Sequence, residues 1–156
     1  MEDYLIKGTI EHIHNIGGFD SMRIVAMEPG RVVVKSKAHQ GFENIYENVH
    51  GGAIMTLIDM TASAAGYTTG KHVITLSSNT NFIRPLPTGD YDMKIVSEVV
   101  HNGRATIIVE TKIFDARGKE CARNTSTMFV PKTVGPDDEI LVSPGSYDSD
   151  FREEGE

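Results

Sequence analysis

The stretch HGGAIMTLID, residues 50–59, decides how this chain folds and where chemistry can occur. Two successive glycines let the backbone turn tightly and approach a ligand without side-chain obstruction. The apolar residues that follow recur at the i, i+3 and i+4 spacing of one helix face. We therefore predict a long helix from about Gly51 to Ala65 that ends at Gly66. Its predicted core face comprises Ile54, Leu57, Ile58, Thr61 and Ala65.

The same stretch carries two groups suited to catalysis. A helix that begins at Gly51 directs its unpaired N–H groups and positive dipole end at whatever lies in front, an arrangement suited to a developing oxyanion. Asp59 is the only charged residue between Gly51 and Gly70, and it lies too deep in the helix to be a cap. A carboxylate among apolar neighbours is costly unless it has a partner or a chemical task. The pair suggests a polarised carbonyl attacked with help from a carboxylate.

Charge divides the chain into two parts. The formal net charge of the 156 residues is −7. Residues 1–132 carry equal numbers of basic and acidic side chains, so the whole excess lies in residues 133–156. We predict one folded domain over 1–132 and an acidic, disordered tail over 133–156. A neutral body with an acidic tail argues against nonspecific nucleic-acid binding.

Cysteine usage and the first residues indicate the compartment. Cys121 is the only cysteine, which excludes an internal disulfide and fits a reducing environment. The start is acidic where a secretory signal would be basic, and no apolar run approaches ~18 residues. We predict a cytoplasmic protein that does not associate with membranes. The pair His12-x-His14 has no further ligands near it in sequence, so neither a metal nor a cofactor is expected.

The coarse layout is helix, two strands, long helix, four strands, which is an α+β arrangement. We predict a helix over 3–15 and strands over 21–27, 31–37, 72–83, 91–101, 105–114 and 121–130. The last four strands are separated by turn signals, among them Asn102-Gly103, and are expected to form an antiparallel meander. Alternation along 72–83 puts Thr75 on one strand face with Ser77, Asn79 and Asn81.

The motif around the long helix resembles a known family. Asn44, then HGG at residues 50–52, then Asp59, together with the NFIRP strand end at 81–85, are similar to hotdog-fold acyl-CoA thioesterases. The resemblance is to the phenylacetate-degradation (PaaI-like) and thioesterase-superfamily-member-2-like branch, and it covers roughly residues 20–131. It implies a hotdog fold, in which an antiparallel sheet wraps one long central helix and a short helix precedes them.

The resemblance also implies a role for each residue of the motif. The backbone N–H of Gly51 would polarise the thioester carbonyl, with the side chain of Asn44 assisting. His50 would hold the turn in shape. Asp59 would be either the nucleophile or the general base for water, since the family is described in both ways. Thr75 falls where relatives carry a Ser or Thr that orients the water.

Other residues are expected to contact substrate. Gly52 and Met55 are candidates beside the acyl group, and Met55 could equally be part of the core. A coenzyme A substrate carries phosphates, so Arg84 and Arg104 are candidates at the mouth of the site. One position departs from the family pattern: many relatives have glycine three residues before the histidine, where this chain has Glu47.

Helix geometry indicates that the site needs two copies of the chain. Gly51 and Asp59 are eight residues apart, which is about 12 Å along a helix. One carbonyl cannot lie within the ~3–3.5 Å that attack requires of both groups. A two-fold dimer that offers the helix start of one copy to the middle of the other satisfies this requirement. The resemblance implies the same dimer, in some relatives paired into a tetramer.

Three function classes remain open. The favoured one is hydrolysis of an acyl-CoA thioester to the free acid and coenzyme A. The alternatives are an acyl thioester hydratase or dehydratase, and a non-catalytic acyl-CoA-binding module. Because His50 precedes the helix and Asp59 stands alone on it, the sequence favours hydrolysis. The acyl group is not specified, nor is the choice between coenzyme A and acyl-carrier protein.

Overall fold

The computed structural model describes residues 1–138 and Glu154. This part of the chain folds as two helices and six strands, with one turn of 3₁₀ helix at Gln40–Phe42. The helices are α1 (Asp3–His12) and α2 (Gly51–Tyr67). The strands are β1 (Arg23–Glu28), β2 (Arg31–Lys37), β3 (Ile74–Phe82), β4 (Asp92–Asn102), β5 (Thr106–Phe114) and β6 (Glu120–Phe129).

Helix α2 is the centre of the core. All five residues of its predicted core face are buried, and Met60, Ala62 and Ala64 are buried with them. The helix extends two residues beyond the predicted end at Ala65, because Gly66 does not terminate it. Gly66 instead permits close packing, since a Cβ there would lie 3.0 Å from Val73 Cγ1. Thr68 follows the last turn, and its Oγ1 donates to the carbonyl oxygen of Ala65 (2.6 Å).

The six strands form one antiparallel sheet in the order β1-β2-β4-β5-β6-β3. This confirms the predicted α+β hotdog arrangement, with the long helix wrapped by the sheet. The predicted meander of four consecutive strands is wrong at its first step, because β3 pairs with β6 and not with β4. The connection after β3 crosses three strand spacings, about 14 Å, which nine residues can span easily. β3 is therefore an edge strand.

Helix α1 packs against the C-terminal end of α2. Gly8 lies so close to Tyr67 that a Cβ would fall 2.3 Å from its ring. The His12 and Tyr67 rings are 4.7 Å apart, and His12 Nδ1 is 2.6 Å from the carbonyl oxygen of Gly8. Burial lowers the pKa of His12 below its ordinary value of 6.5. Leu5 and Val134 complete this apolar cluster.

The chain beyond β6 packs back onto the body as far as it is described. Val134 is buried, and its N–H donates to the carbonyl oxygen of Gly70 (2.8 Å). Glu154 donates its N–H to the carbonyl oxygen of Val25 (3.2 Å) and pairs with Arg23. The rest of the predicted acidic tail lies outside the described residues. Neither described helix is long and apolar enough to cross a membrane.

Candidate active site

His50 builds the start of α2. Its Nδ1 accepts a hydrogen bond from the N–H of Gly52 (3.0 Å), so it is the N-cap of the helix. Its own N–H donates to the carbonyl oxygen of Phe42 (2.7 Å), and its carbonyl oxygen accepts from the N–H of Ile54 (3.0 Å). These bonds fix the turn from both sides. The N–H of Gly51 belongs to the first turn, where an α-helix provides no preceding acceptor.

A cavity of about 370 Å³ opens in front of this helix start. The Phe82 ring covers Gly51 closely: a Cβ on Gly51 would lie 3.4 Å from Phe82 Cζ. Apolar walls that exclude water strengthen the interaction of an N–H group with a developing negative charge. The cavity is lined by Asn44, Gly51, Ile54, Phe82, Arg84 and Leu86, among others.

Asn44 reaches this cavity from a tight loop. Its Oδ1 accepts from the backbone N–H groups of Tyr46 (2.8 Å) and Asn48 (3.2 Å), so the carbonyl oxygen shapes the loop. None of the hydrogen bonds described for residues 1–138 uses its amide nitrogen, which is a donor. The side chain can therefore hold the loop and donate to a ligand oxygen at once.

Glu47, at the position where the resemblance predicts glycine, has a backbone conformation that favours glycine. It is the one non-glycine residue in the described chain with positive φ, at 60°. This left-handed conformation is unfavourable for a residue with a Cβ. The Glu47 carbonyl oxygen accepts from the N–H and the hydroxyl of Thr88 (3.1 and 3.2 Å). These bonds hold the strained loop and, with it, Asn44.

Asp59 and Thr75 form a second group. Thr75 Oγ1 donates to Asp59 Oδ1 across 2.8 Å, and both residues are half-buried. The bond fixes the rotation of the carboxylate. A carboxylate has four acceptor sites, so the bond from Thr75 leaves capacity for a water or a substrate proton.

The predicted site residues thus fall into two groups within one chain. Asn44, Gly51 and Arg84 surround the cavity, whereas Asp59 and Thr75 lie two helical turns away along α2, about 12 Å from Gly51. Positions 51, 55 and 59 are four residues apart and share one helix face. Met55 lies between the groups on this face and is 45% exposed, while Gly52 is exposed at the helix start.

The two candidate arginines lie at opposite ends of β3. Arg84 follows the Phe82 end, lines the cavity, and donates from Nη1 to the carbonyl oxygen of Glu120 (2.7 Å). Arg104 is exposed in the turn between β4 and β5, close in register to the Ile74 end. A single chain therefore does not bring them together.

The predicted strand face of Thr75 is wrong. A β-bulge between Thr75 and Ser77 shifts the alternation, so Thr75 shares the helix-facing side with Ser78 and Thr80. Sequence reasoning missed these two hydroxyls and their partners on β6, Asn124 and Ser126. The run of polar residues in β3 was a signal that this strand does not face an apolar core.

Among the described residues, the candidate site has neither a cluster of metal ligands nor a thiol suited to act as a nucleophile. Among residues 1–138 and Glu154, no three His, Cys, Asp or Glu side chains are grouped so that they could hold a metal ion. Cys121 is buried, and burial raises the pKa of its thiol. A raised pKa disfavours the thiolate that a nucleophilic cysteine requires.

Comparison with known proteins identifies relatives of this architecture. A family model described as the thioesterase superfamily matches residues 46–122. The chain is 32% identical to smu.793 of Streptococcus mutans UA159, solved with acetyl CoA, covering 80% of this chain and 99% of that one (TM-score 0.73). It is 30% identical to a hypothetical thioesterase of Streptococcus pneumoniae TIGR4, solved with coenzyme A (81% and 99% covered, TM-score 0.76). A Saccharolobus solfataricus protein with the provisional name of an esterase is 28% identical (85% and 96% covered).

More distant structures have the same fold. The Escherichia coli PaaI protein of the phenylacetic acid degradation operon is 22% identical with a TM-score of 0.69. Zebrafish thioesterase superfamily member 2 is 21% identical with a TM-score of 0.73. The predicted kinship with this branch is thereby confirmed at the level of fold. The pneumococcal thioesterase has also been solved as an aspartate-to-alanine and a threonine-to-alanine variant, at positions sixteen residues apart.

Proposed function

Because this chain belongs to the thioesterase superfamily, we propose that it hydrolyses an acyl-CoA thioester to the free acid and coenzyme A. The observation that carries the proposal is the bond from Thr75 to Asp59, which holds a half-buried carboxylate in one orientation. The two residues are sixteen positions apart, as are the two residues replaced in the pneumococcal thioesterase. The acetyl CoA and coenzyme A found on relatives support the choice of carrier.

Asp59 activates water in this proposal. With Oδ1 occupied by the Thr75 hydroxyl, the remaining carboxylate capacity accepts a proton from a water that attacks the thioester carbonyl carbon. The tetrahedral intermediate then collapses, the carbon–sulfur bond breaks, and the protonated carboxyl returns the proton to the leaving thiolate. General-base assistance typically contributes 10²–10⁴-fold. Direct attack by Asp59, through an acyl-enzyme, is the other route that this geometry permits.

The N–H of Gly51 stabilises the oxyanion of that intermediate. Removal of one such donor costs ~2.7–4 kcal/mol in other enzymes. His50 already occupies the N–H of Gly52, so Gly51 provides the first unoccupied donor of the helix. The same bond holds the His50 ring to the backbone, which argues against His50 as the mobile base of a hydratase or dehydratase.

We further propose that each site joins two chains through the β3 edge. Large apolar side chains are exposed at the two ends of β3, namely Ile74, Leu76 and Phe82, and Phe129 of β6 is exposed beside Ile74; each of the four is between 41% and 62% exposed. An exposed edge strand with large apolar side chains at both ends invites pairing with another strand. Antiparallel pairing of two β3 strands about a two-fold axis would bring the Thr75 end of one chain beside the Phe82 end of the other. Asp59 would then approach the partner subunit's Gly51.

The same pairing accounts for the separated arginines. Arg104 lies near the Ile74 end of β3 and Arg84 near the Phe82 end. Two antiparallel β3 strands would place the partner subunit's Arg104 on the side of Arg84, so both could contact the phosphates of one coenzyme A. A further pairing of dimers into a tetramer is compatible with this arrangement. The single, buried cysteine supports a cytoplasmic location.

Thiol release from a panel of acyl-CoAs tests the hydrolysis. Asp59→Asn preserves the size of the side chain and removes the base, so turnover should fall by at least a hundredfold while the oligomeric state and thermal unfolding stay unchanged. Asp90→Asn, an exposed carboxyl that pairs with Lys37, is the matched control and should retain full turnover. No thiol release by the wild-type protein from any acyl-CoA would overturn the proposal.

A mixed-dimer experiment tests the shared site. Asp59→Asn and Asn44→Ala chains, each impaired alone, are co-expressed with different affinity tags and the mixed dimer is isolated. If one site takes Asp59 from one chain and Asn44 from the other, the mixed dimer contains one intact site and regains up to half of the wild-type turnover. If both residues act within one chain, no activity returns.

The role of Asp59 is decided by a single turnover in H₂¹⁸O with enzyme in excess. A water activated by general-base catalysis places ¹⁸O in the product acid in the first turnover. Nucleophilic attack forms a mixed anhydride. If water opens it at the Asp59 carboxyl carbon, the product is unlabelled and ¹⁸O enters the Asp59 carboxyl, which is detected by peptide mass spectrometry. If water opens it at the acyl carbon, trapping of the acyl-enzyme with hydroxylamine distinguishes this route from general-base catalysis.

A further inference from the structure

The loop that carries Asn44 is a tight turn closed by its own hydrogen bonds. Asn44 Oδ1 accepts from the N–H groups of Tyr46 and Asn48, and the Asn44 N–H donates to the carbonyl oxygen of Asn48 (2.8 Å). The N–H of Glu47 donates to the carbonyl oxygen of Asn44 (3.2 Å). The chain returns on itself within these five residues through one left-handed residue, Glu47 (φ 60°). The geometry of the turn therefore depends on the conformation of Glu47.

This conformation is unfavourable for glutamate and persists only where the surrounding structure imposes it. The N–H groups of Tyr46 and Asn48 lie on either side of the Glu47 N–Cα bond, so rotation to a negative φ would separate them. Asn44 Oδ1 could then no longer accept from both, and the asparagine amide would not be held beside the cavity. The loop therefore needs a restraint on Glu47 from outside the turn.

Thr88 provides this restraint. Both hydrogen bonds that the described residues give to the Glu47 carbonyl oxygen come from Thr88, one from its N–H (3.1 Å) and one from its hydroxyl (3.2 Å). The hydroxyl also donates to Glu43 Oε2, on the other side of the turn. Thr88 is half-buried and is not one of the residues that line the cavity. It can therefore influence the candidate site only through the loop.

The segment around Thr88 is itself anchored. The N–H of Gly89 donates to the carbonyl oxygen of Ala38 (2.8 Å), and the N–H of Val49 donates to the carbonyl oxygen of Leu86 (2.7 Å). The Leu86 side chain is 1% exposed and belongs to the main core. Because the core holds this segment, Thr88 can impose an unfavourable conformation on the loop opposite.

We propose that Thr88 is a positioning residue of the candidate active site, which holds Glu47 in its left-handed conformation and thereby keeps the Asn44 amide at the cavity. The inference rests on the proposed hydrolysis, in which Asn44 assists the N–H of Gly51 at the thioester carbonyl. Glycine adopts the left-handed region at little cost, so a chain with glycine at position 47 should not need the Thr88 hydroxyl. The contribution of Thr88 to turnover thus depends on the residue at position 47.

Thr88→Val removes the hydroxyl with little change in shape, and its effect on kcat/KM for an acyl-CoA is measured in three backgrounds. In the otherwise unchanged chain, kcat/KM should fall by about tenfold, because small misplacements of a catalytic group are costly. In the Glu47→Gly and Asn44→Ala backgrounds, the same substitution should change kcat/KM by less than about twofold. Thr88→Ser keeps the hydroxyl and should retain most of the wild-type value. Thr69→Val is the matched control, because it loses a hydroxyl bond to the Gly66 carbonyl oxygen (2.7 Å) at the far end of α2 and should leave kcat/KM unchanged.

Amide hydrogen exchange of Tyr46 and Asn48, followed by NMR, reports the Asn44 turn without any turnover. Both N–H groups should exchange faster in Thr88→Val and return to slow exchange in the Glu47→Gly, Thr88→Val double variant. This result supports the positioning role even if the wild type releases no thiol, in which case only the hydrolysis is overturned. Unchanged exchange in Thr88→Val, or an equal loss of kcat/KM in all three backgrounds, overturns the positioning role and leaves the hydrolysis standing.

Discussion

The two ends of α2 lie in opposite environments, although the helix is apolar along most of its length. At the start, Gly51 and Gly52 are half-exposed and exposed, and a cavity opens in front of them. At the end, Tyr67 is 2% exposed and packs beneath α1 and Val134. One helix thus has an open end at Gly51 and Gly52, which faces the cavity, and a closed end at Tyr67, which is anchored by α1 and Val134. Changes at the closed end should affect stability, and changes at the open end should affect catalysis.

The largest effect is expected at Tyr67. Tyr67→Ala removes a buried aromatic side chain and should lower the free energy of unfolding by about 3–5 kcal/mol. Tyr67→Phe is the control: the hydroxyl is buried with no hydrogen-bond partner among the described residues, so its loss should be neutral or stabilising. Urea denaturation measures both. Equal destabilisation by the two variants would contradict this account of the closed end.

A smaller loss of stability is expected from Gly8→Ala. The added Cβ would fall 2.3 Å from the Tyr67 ring, so α1 or the ring must move, at a cost of about 1–3 kcal/mol. Gly17→Ala adds the same atom where nothing lies within 4 Å and should change the free energy of unfolding by at most about 0.5 kcal/mol. Turnover of folded Gly8→Ala should equal that of the wild type. A loss of turnover would show that packing at the closed end of α2 affects the candidate active site.

At the open end, His50→Ala should lower turnover more than it lowers stability. Loss of the cap costs about 1 kcal/mol, but the misplaced helix start should lower kcat/KM by about ten- to a hundredfold. His39→Ala is the matched control, because His39 Nδ1 makes the same 3.0 Å bond to the N–H of Gly41, in front of the 3₁₀ turn. Thermal unfolding and thiol release, measured on both variants, distinguish them. Equal turnover would show that the cap is purely structural.

The smallest effect is a pH dependence of stability at the closed end. Burial lowers the pKa of His12 in the folded chain, so the unfolded chain binds more protons below about pH 6.5. The free energy of unfolding should therefore be highest above pH 6.5 and fall as the pH drops below it, toward the lowered pKa. His72 faces His12 and adds to the cost of charging it. His12→Gln should flatten this slope, and the exposed His101→Gln should leave it unchanged.

The long helix and most strands could be predicted because their signals are local. The glycines at 51–52, the i, i+3, i+4 spacing and the Asn102-Gly103 turn each act within a few residues. The pairing of β3 with β6 could not be predicted, because turn residues between β3 and β4 indicate only that the chain reverses. Which strand becomes the neighbour depends on how the sheet curves around α2.

The candidate site was predictable to the same extent. The motif identified Asp59 and Thr75, and the structure joins them by one hydrogen bond. Ser78 and Thr80 were not predicted to share a face with Thr75, because one bulge reverses the side of the sheet on which every later residue of β3 lies. A bulge is set by pairing with a distant strand, so alternation read from the sequence alone assigns the wrong face.

The pairing of β3 with β6 also orders events during synthesis. The residues paired with β3 lie between 40 (Phe82 with Ala122) and 55 (Ile74 with Phe129) positions further along the chain. A nascent chain on the ribosome therefore carries α2, with Asp59 and Thr75, well before Asn124 and Ser126 exist. The contacts that close so long a loop form late. β3, and with it Thr75, is fixed in the sheet only when the last strand is made, so the candidate site is a property of the finished molecule.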